Sequence, residues 1–215
     1  LSQAHSAPAM SSLSPVADAF IAAAPVCDHW SLRLVAEESD HLEVRQGVVE
    51  PSVLGVARGA MVTVIAGAGV GYAATSDLSP AGLRAAAVKA REWADVHARL
   101  GLFDAAIYPR SYRSPVKEPW DGLPLADKLH LLRLADEALA IDERIVDWSA
   151  WLTHRRVEQL LVTSAGGAVS QVQEYVLPGL AAVANADSQT QRRHGGWADG
   201  GRQGGLEGLA LARLL

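Results

Sequence analysis

Residues 61–80 read MVTVIAGAGVGYAATSDLSP, and the fold class turns on the glycines in this stretch. As a phosphate loop, Gly67-Ala-Gly69-Val-Gly71 would bring backbone N–H groups close to an anion and would have to open a helix. Here the tract leads into Tyr72-Ala-Ala-Thr75, another extended piece, so it is read as a hairpin turn. Met61 to Ile65 is a β-branched run that suits a well-buried strand. A helix starts only at Asp77-Leu-Ser79-Pro80, where Ser79 can accept from an orphan amide and Pro80 has no N–H to lose. It is expected to run to about Leu100 with Leu83, Ala86, Ala87, Ala90, Trp93 and Ala94 as its apolar stripe. Gly101 is placed to end it. Strand, turn, strand, helix is the signature of an antiparallel sheet with a helix on it, not of a nucleotide-binding βαβ unit.

Working outward, Pro15 to Ala24 places Val16, Ala19, Phe20 and Ala23 on one helical face, with Ser14 as the cap. From Trp30 the period becomes two. Leu32, Leu34 and Ala36 alternate with polar neighbours, and His41 to Gln46 sets Leu42 and Val44 against Glu43 and Arg45, which predicts two antiparallel strands. Gln46-Gly47 is a turn, Val48 to Leu54 resumes extended structure, and Pro51 marks an edge or bulge. Residues 101–124 carry four prolines with Tyr108, Tyr112 and Trp120, an ordered excursion packed on the body. Leu125 to Ile141 is the second long helix, with Leu129, Leu132, Ala135, Ala138 and Leu139 inward. Alternation returns in Ile145 to Leu152, Glu158 to Thr163 and Val169 to Val176, a second β-meander with a turn at Ala165-Gly-Gly167. The fold class is α+β, with antiparallel β-meanders and two long helices packed on the sheet. The repeated order is either a pseudo-repeat or two layers of one unit.

Residues 1–14 are expected to be a leader, disordered or vector-derived, with Met10 as a candidate start, and 15–215 a single α+β domain. Residues 187–205 form a polar, glycine-dense segment. Leu206 to Leu215 has helical character, and its uncapped leucines are expected to meet a continuing or docking partner.

Composition excludes several classes. The 215 residues are 49% hydrophobic and 20% charged, enough to build a core, and the formal charge is −5. With Lys and Arg scattered, the electrostatic footprint of a phosphate-backbone binder is missing. No apolar stretch is long enough to span a bilayer as a helix. The single cysteine, Cys27, excludes an internal disulfide and a cysteine-rich zinc site, and a reducing cytosol fits.

The seven histidines include no pair at i, i+3 or i, i+4, so no helix offers two zinc ligands on one face. His97 and His130 read as solvated or partly packed helix residues. Neither a Gly-x-Ser-x-Gly elbow nor a P-loop occurs, and nothing nominates a Ser-His-Asp triad. Trp93, Trp148 and Trp151 fall on element faces and read as core. Trp120 and Trp197 sit in irregular segments, where an interface or groove role and simple packing stand level. Arg192, Arg193 and Arg202 suit a carboxylate or a peptide carbonyl, or a solvated surface.

Glu43-Val-Arg-Gln-Gly47-Val-Val-Glu50, Gly59, Val62-Thr-Val-Ile65 and Gly71-Tyr-Ala-Ala-Thr75-Ser-Asp77-Leu-Ser79 resemble the N-terminal half of the TldD/PmbA family, once called modulators of DNA gyrase. Lys128 to Asp136, Asp142-Glu-Arg144-Ile145, Ser164-Ala-Gly166 and Gly200-Gly201-Arg202-Gln-Gly204-Gly205-Leu-Glu207 follow in order, the last more like the TldD branch. The family's arginine after Gly59 stands here as Thr63.

The resemblance implies a TldD/PmbA N-terminal fold from a zinc metallopeptidase that trims small or unstructured peptides. The family's His-Glu-x-x-x-His helix and downstream cysteine lie in its C-terminal half and are not present here. No metal ligand, cofactor or catalytic residue is therefore assigned to this chain. Zinc is expected in the catalytic half, and the chain is expected to be inactive alone. Its expected partners are a TldD/PmbA-type subunit or its own C-terminal half, together with an unstructured peptide in the cytoplasm. Neither nucleic acid nor a membrane is expected. Gly195, Gly196, Trp197, Gly200, Gly201 and Arg202 are the candidate substrate-groove residues, since glycine permits close backbone approach and an extended peptide can add to a sheet edge. The competing expectation is a non-catalytic peptide-binding or scaffold subunit paired with a separate catalytic chain.

Overall fold

The structure, a computed structural model, describes residues 12–96, 109–196 and 202–209. Along the chain run α1 (Ser14–Ile21), β1 (His29–Arg45), β2 (Val48–Val49), β3 (Val53–Ala66), β4 (Gly69–Thr75), α2 (Pro80–Val96), β5 (Arg110–Arg113), α3 (Leu125–Glu137), β6 (Ile145–Thr163), β7 (Ala168–Ala186), β8 (Gln189–Gly195) and β9 (Arg202–Gln203). The strands follow the order β4-β3-β1-β6-β7-β5, with β2 beside β1 and both β8 and β9 beside β7. The β1–β2, β3–β4, β7–β8 and β7–β9 pairings are antiparallel, and β5 pairs with β7 in parallel. The α+β expectation holds, with the short α1 joining the two long helices. No helix among the described residues is long and apolar enough to cross a membrane.

The chain divides into two compact units, one of residues 1–37, 57–113 and 157–172, the other of 38–56, 114–156 and 173–215. In the first, alternate residues of β1 (Trp30, Leu32, Leu34, Ala36) and β3 (Ala60, Val62, Val64) meet α1 through Ala17 and Phe20 and α2 through Leu83, Ala86, Ala87, Ala90 and Ala94. Phe20 and Trp30 meet edge to face at 5.2 Å. The Gly67 turn closes β3 on β4, with φ +58° and its N–H donating to Asp28 Oδ2 at 2.6 Å. Ser79 caps α2 by accepting from Gly82 N at 3.1 Å, as its position predicts. The alanine stripe lets α2 lie close on β4. At Gly71 a Cβ would run into Ala90 O and Ala94 N, with Trp93 Cβ 2.8 Å away.

In the second unit, Leu42 and Val44 of β1, Leu132 of α3, Ala150 and Leu152 of β6 and Val176 of β7 enclose Trp120 and Leu206. Gln46 and Gly47 both have positive φ, 51° and 77°, as a tight hairpin turn demands. Gly47 N donates to the buried Asp136 at 2.7 Å, tying the turn to α3.

Several local expectations change. The predicted strand pair from Trp30 to Gln46 is one 17-residue strand, β1, because Glu37–Asp40 stay extended. Asp40 accepts from Trp120 Nε1 at 3.0 Å and His41 contacts Thr153 Oγ1 at 2.8 Å, partners distant in sequence. Likewise the second meander is a hairpin of two 19-residue strands, β6 and β7. The second long helix stops at Glu137, leaving Ala138 exposed. Trp93, read as core, is 44% exposed and lies beneath Lys89 Nζ at 5.4 Å. Ser14 is inside α1 rather than its cap, which is Leu13. Within the expected leader, Leu13 is buried and Ser12 donates from N and Oγ to Glu158 at 2.7 and 3.0 Å. The polar segment after residue 187 holds a strand, β8.

Gly71→Ala is expected to push α2 off β4 and to destabilise the protein by about 2 kcal/mol or more, the usual cost of overpacking a close contact. Urea denaturation would show this as a lower midpoint.

Candidate functional site

The segment selected from sequence for substrate contact begins at Gly195, the last residue of β8. This strand is the return arm of a hairpin whose turn places Asp187 at φ 52° and is braced by Thr190 Oγ1 donating to Asn185 Oδ1 at 2.9 Å. It pairs with β7 from Ala186↔Gln189 to Leu180↔Gly195, and all seven residues are exposed. Among the described residues its one strand neighbour is β7, which leaves its outer edge bare there. Arg192, Arg193 and His194 make that edge basic. Arg192 also adds to the cationic field at Asp147, whose carboxyl is held low first by the hydrogen bond from Arg45.

The glycines differ in role. Gly195 has open space where a Cβ would stand, whereas Gly196 has φ +101° and a Cβ there would lie 2.5 Å from Pro178 O. Gly195 therefore leaves the strand accessible while Gly196 is a packing requirement. Arg202 pairs with Val176 in β9. Trp197, Gly200 and Gly201 lie outside the described residues.

Beyond β9 the chain is clasped. Gly204 N donates to Glu174 O at 3.0 Å and Leu206 N to Glu118 O at 2.8 Å. The Glu207 carboxylate accepts from Lys117 N at 3.1 Å, Glu118 N at 2.9 Å and Gly205 N at 3.1 Å. Those backbone bonds, from Glu118 first and then Gly205 and Lys117, hold its carboxyl down at about 2. Gly205 is packed so tightly that a Cβ would meet Glu118 O. The Gly-Gly-Leu-Glu tract is thus a structural latch on the proline-rich segment.

Two further features lie in the same unit. An apolar cavity of about 210 Å³ is lined by Leu131, Leu134 and Ala135 of α3, Trp151 of β6, and Pro178 and Leu180 of β7. Gly179 allows the Trp151 indole to lie against the β7 backbone. Nearby, the buried Trp120 stacks on His154 with centroids 5.2 Å apart, and Lys128 Nζ lies 3.8 Å from the Trp120 ring centroid. Burial pushes the Lys128 ammonium below its ordinary pKa, partly opposed by Asp40 and Asp121. His154 Nε2 is 3.7 Å from Glu174 Oε2, too long for a hydrogen bond. Sequence reading left Trp120 undecided and placed Lys128, Asp136 and Glu207 in motifs without reading what they contact. An acid after a Gly-Gly pair and a lysine on an apolar helix face were the available signals.

No group of three or more His, Cys, Asp or Glu side chains comes together to hold a metal among the described residues. Ser164 Oγ contacts His29 Nδ1 at 3.0 Å, but it also accepts from Trp30 N at 3.2 Å. The neighbouring Asp28 is turned to Gly67.

Residues 30–94 match the family described as PmbA/TldA metallopeptidase domain 1, and 118–214 match the PmbA/TldA metallopeptidase central domain. Solved structures share the fold. A Thermotoga maritima protein designated a modulator of a DNA gyrase aligns with TM-score 0.65 and 15% identity over 85% of this chain and 42% of its own. A Bacteroides thetaiotaomicron protein designated a modulator of DNA gyrase gives 0.64 and 15% over 86% and 44%. TldE from Thermococcus kodakarensis gives 0.58 and 15% over 79% and 40%. The chain therefore spans less than half the length of these solved relatives. No curated protein matches it.

Because the Glu207 carboxyl sits at about 2 in the folded chain, below its ordinary 4.5, its contribution is fully present above pH 4.5 and is lost as pH falls towards 2. Glu207→Gln is expected to lower the urea midpoint at pH 7 and to flatten part of its fall below pH 4.5. The same midpoint-against-pH curve for both proteins would check this.

Proposed function

This chain belongs to the PmbA/TldD metallopeptidase family, and we propose that it is the non-catalytic, peptide-seating part of a TldD-like zinc metallopeptidase acting on small or unstructured peptides. The observation that carries the reading is the ordered match to the family's first and central domains, together with a chain covering only 42% and 44% of two solved relatives. In this reading the His-Glu-x-x-x-His residues belong to polypeptide beyond these 215 residues, either in the same product or in a partner subunit.

Among the described residues the histidines and carboxylates form no donor cluster for a zinc ion. No bond-breaking step is assigned to them. When bound in a catalytic part, zinc would supply an activated water and stabilise the developing oxyanion.

The task left to this chain is recognition. An extended peptide added to the bare edge of β8 would gain backbone hydrogen bonds without reading side chains, which suits substrates lacking fixed structure. Gly195 leaves the end of that edge open, and Arg192, Arg193 and His194 favour peptides carrying carboxylates.

The test is peptidase assay and metal analysis of the chain alone and of its assembly with a polypeptide carrying His-Glu-x-x-x-His. Turnover of an unstructured peptide is expected only in the assembly. Stoichiometric zinc and turnover in the isolated chain would overturn the proposal. In the active assembly, Gly195→Val is expected to raise KM about tenfold with kcat little changed, the mark of lost binding rather than lost chemistry. An unchanged KM would remove β8 from the groove.

A further inference from the structure

Capture along the β8 edge relies on backbone, but at one position the structure also offers a place for a side chain. Leu180 and Gly195 stand opposite each other across β7 and β8, so their substituents take the same face of the sheet. On that face Leu180 packs against the core of its unit and lines the apolar cavity of about 210 Å³. Gly195 contributes no side chain there, and a Cβ would meet nothing within 4 Å. The β7 wall of the cavity thus borders an open glycine in β8. Its α3 wall includes Leu134, an apolar side chain left 44% exposed. A cavity of about 150 Å³ lined by aliphatic side chains takes up a benzene molecule, so the space here suffices for one phenyl ring.

We propose that this cavity receives a large apolar side chain, such as phenylalanine, from a peptide paired antiparallel on β8, at the residue opposite Gly195. The inference rests on the β8 seat of the preceding section and names the peptide class that seat prefers. A strand added to β8 lies about 4.8 Å beyond it. Aromatic and long side chains reach neighbours about 7–8 Å away across a sheet, and with only glycine between, a phenyl ring leans over Gly195 towards Leu180. Arg193 supports the same occupant. It lies two residues from Gly195 and so on the same face, and its Nη1 donates to Gln191 Oε1 and Arg192 O, neither of them charged. In antiparallel pairing, the peptide residue opposite Arg193 follows the one opposite Gly195 by two positions. A glutamate there meets the guanidinium. The favoured sequence is therefore Phe-x-Glu, read from the N-terminus. A carboxylate in place of the phenyl ring would be buried among leucines without a partner.

Fluorescence anisotropy of the 215-residue chain with labelled serine- and glycine-rich peptides carrying Phe-x-Glu, Ala-x-Glu or Glu-x-Phe tests it. Phe-x-Glu is expected to bind about tenfold tighter than Ala-x-Glu, as burial of one aromatic side chain allows, and about threefold tighter than the reversed order. Gly195→Val closes the way over the strand, and Leu134→Gln makes the exposed part of the cavity wall polar. Both are expected to keep the fold by circular dichroism and to cut the tenfold preference to about twofold. A preference that survives both variants would overturn the proposal, because the phenyl ring would then lie elsewhere. Equal binding of the reversed order would overturn the antiparallel register. Phe-x-Glu and Ala-x-Glu binding alike, with both weakened by Arg193→Glu, would overturn the role of the cavity while keeping β8 as the seat. Failure of every peptide to bind up to about 1 mM would remove the seat and the cavity together, whereas the peptidase reading fails or stands by zinc and turnover in the assembly.

Discussion

Three strands, β1, β6 and β7, run for 17, 19 and 19 residues without a break, and each supplies residues to both compact units. Strands this long must stay extended through polar middles. Side chains from distant segments contact these middles, although Asp40 Oδ1 and His154 Nε2 are buried there without a hydrogen-bond partner among the described residues. Asp40 accepts from Trp120 and His41 contacts Thr153, while His154 stacks on Trp120. The division between units falls at residues 37/38, 56/57, 156/157 and 172/173, within strands, and at 113/114, in the proline-rich segment. Domain limits sought only in proline- or glycine-rich linkers would find one of these five boundaries.

Within each unit the helices serve different ends. The α2 stripe is mostly alanine, which allows close contact with β4 at Gly71. By contrast α3 buries Lys128 and Asp136 beside Leu132, and uses the carboxylate to hold the Gly47 turn. The first arrangement is steric and the second polar. Cross-strand pairing at the surface adds to the second, since Arg45 donates two hydrogen bonds to Asp147 at 2.9 Å each.

The functional logic follows from what the edges of the strands present. In the proposed reading, this chain holds a flexible peptide while another part of the assembly supplies the reactive ion. Backbone-directed capture on a strand edge tolerates many sequences because each residue offers the same N–H and C=O. The latch at Gly204–Glu207 sits on the chain's path beyond β9 and fixes the proline-rich segment through backbone bonds. Glycine therefore acts in two ways in this region, leaving space open at Gly195 and permitting dense packing at Gly196 and Gly205.

Much of this was legible in the amino-acid order. The Gly67 hairpin, the Ser79 cap, the alanine stripe of α2, the Gln46-Gly47 turn and the family follow from local periodicity, turn chemistry and ordered motifs, because each depends on residues near one another in the chain. Tertiary structure decided the rest. Whether Glu37–Asp40 turns or stays extended depends on Trp120, eighty positions from Asp40. Whether the glycines near 204 touch a ligand or seat a latch depends on Glu118 and Lys117, some ninety positions away. The pairing of Arg192–His194 in an exposed strand was equally hidden, since a polar run shows no period from which a strand can be read. Periodicity reports which face of an element is buried; only folding determines which distant groups meet that face and satisfy its polar atoms.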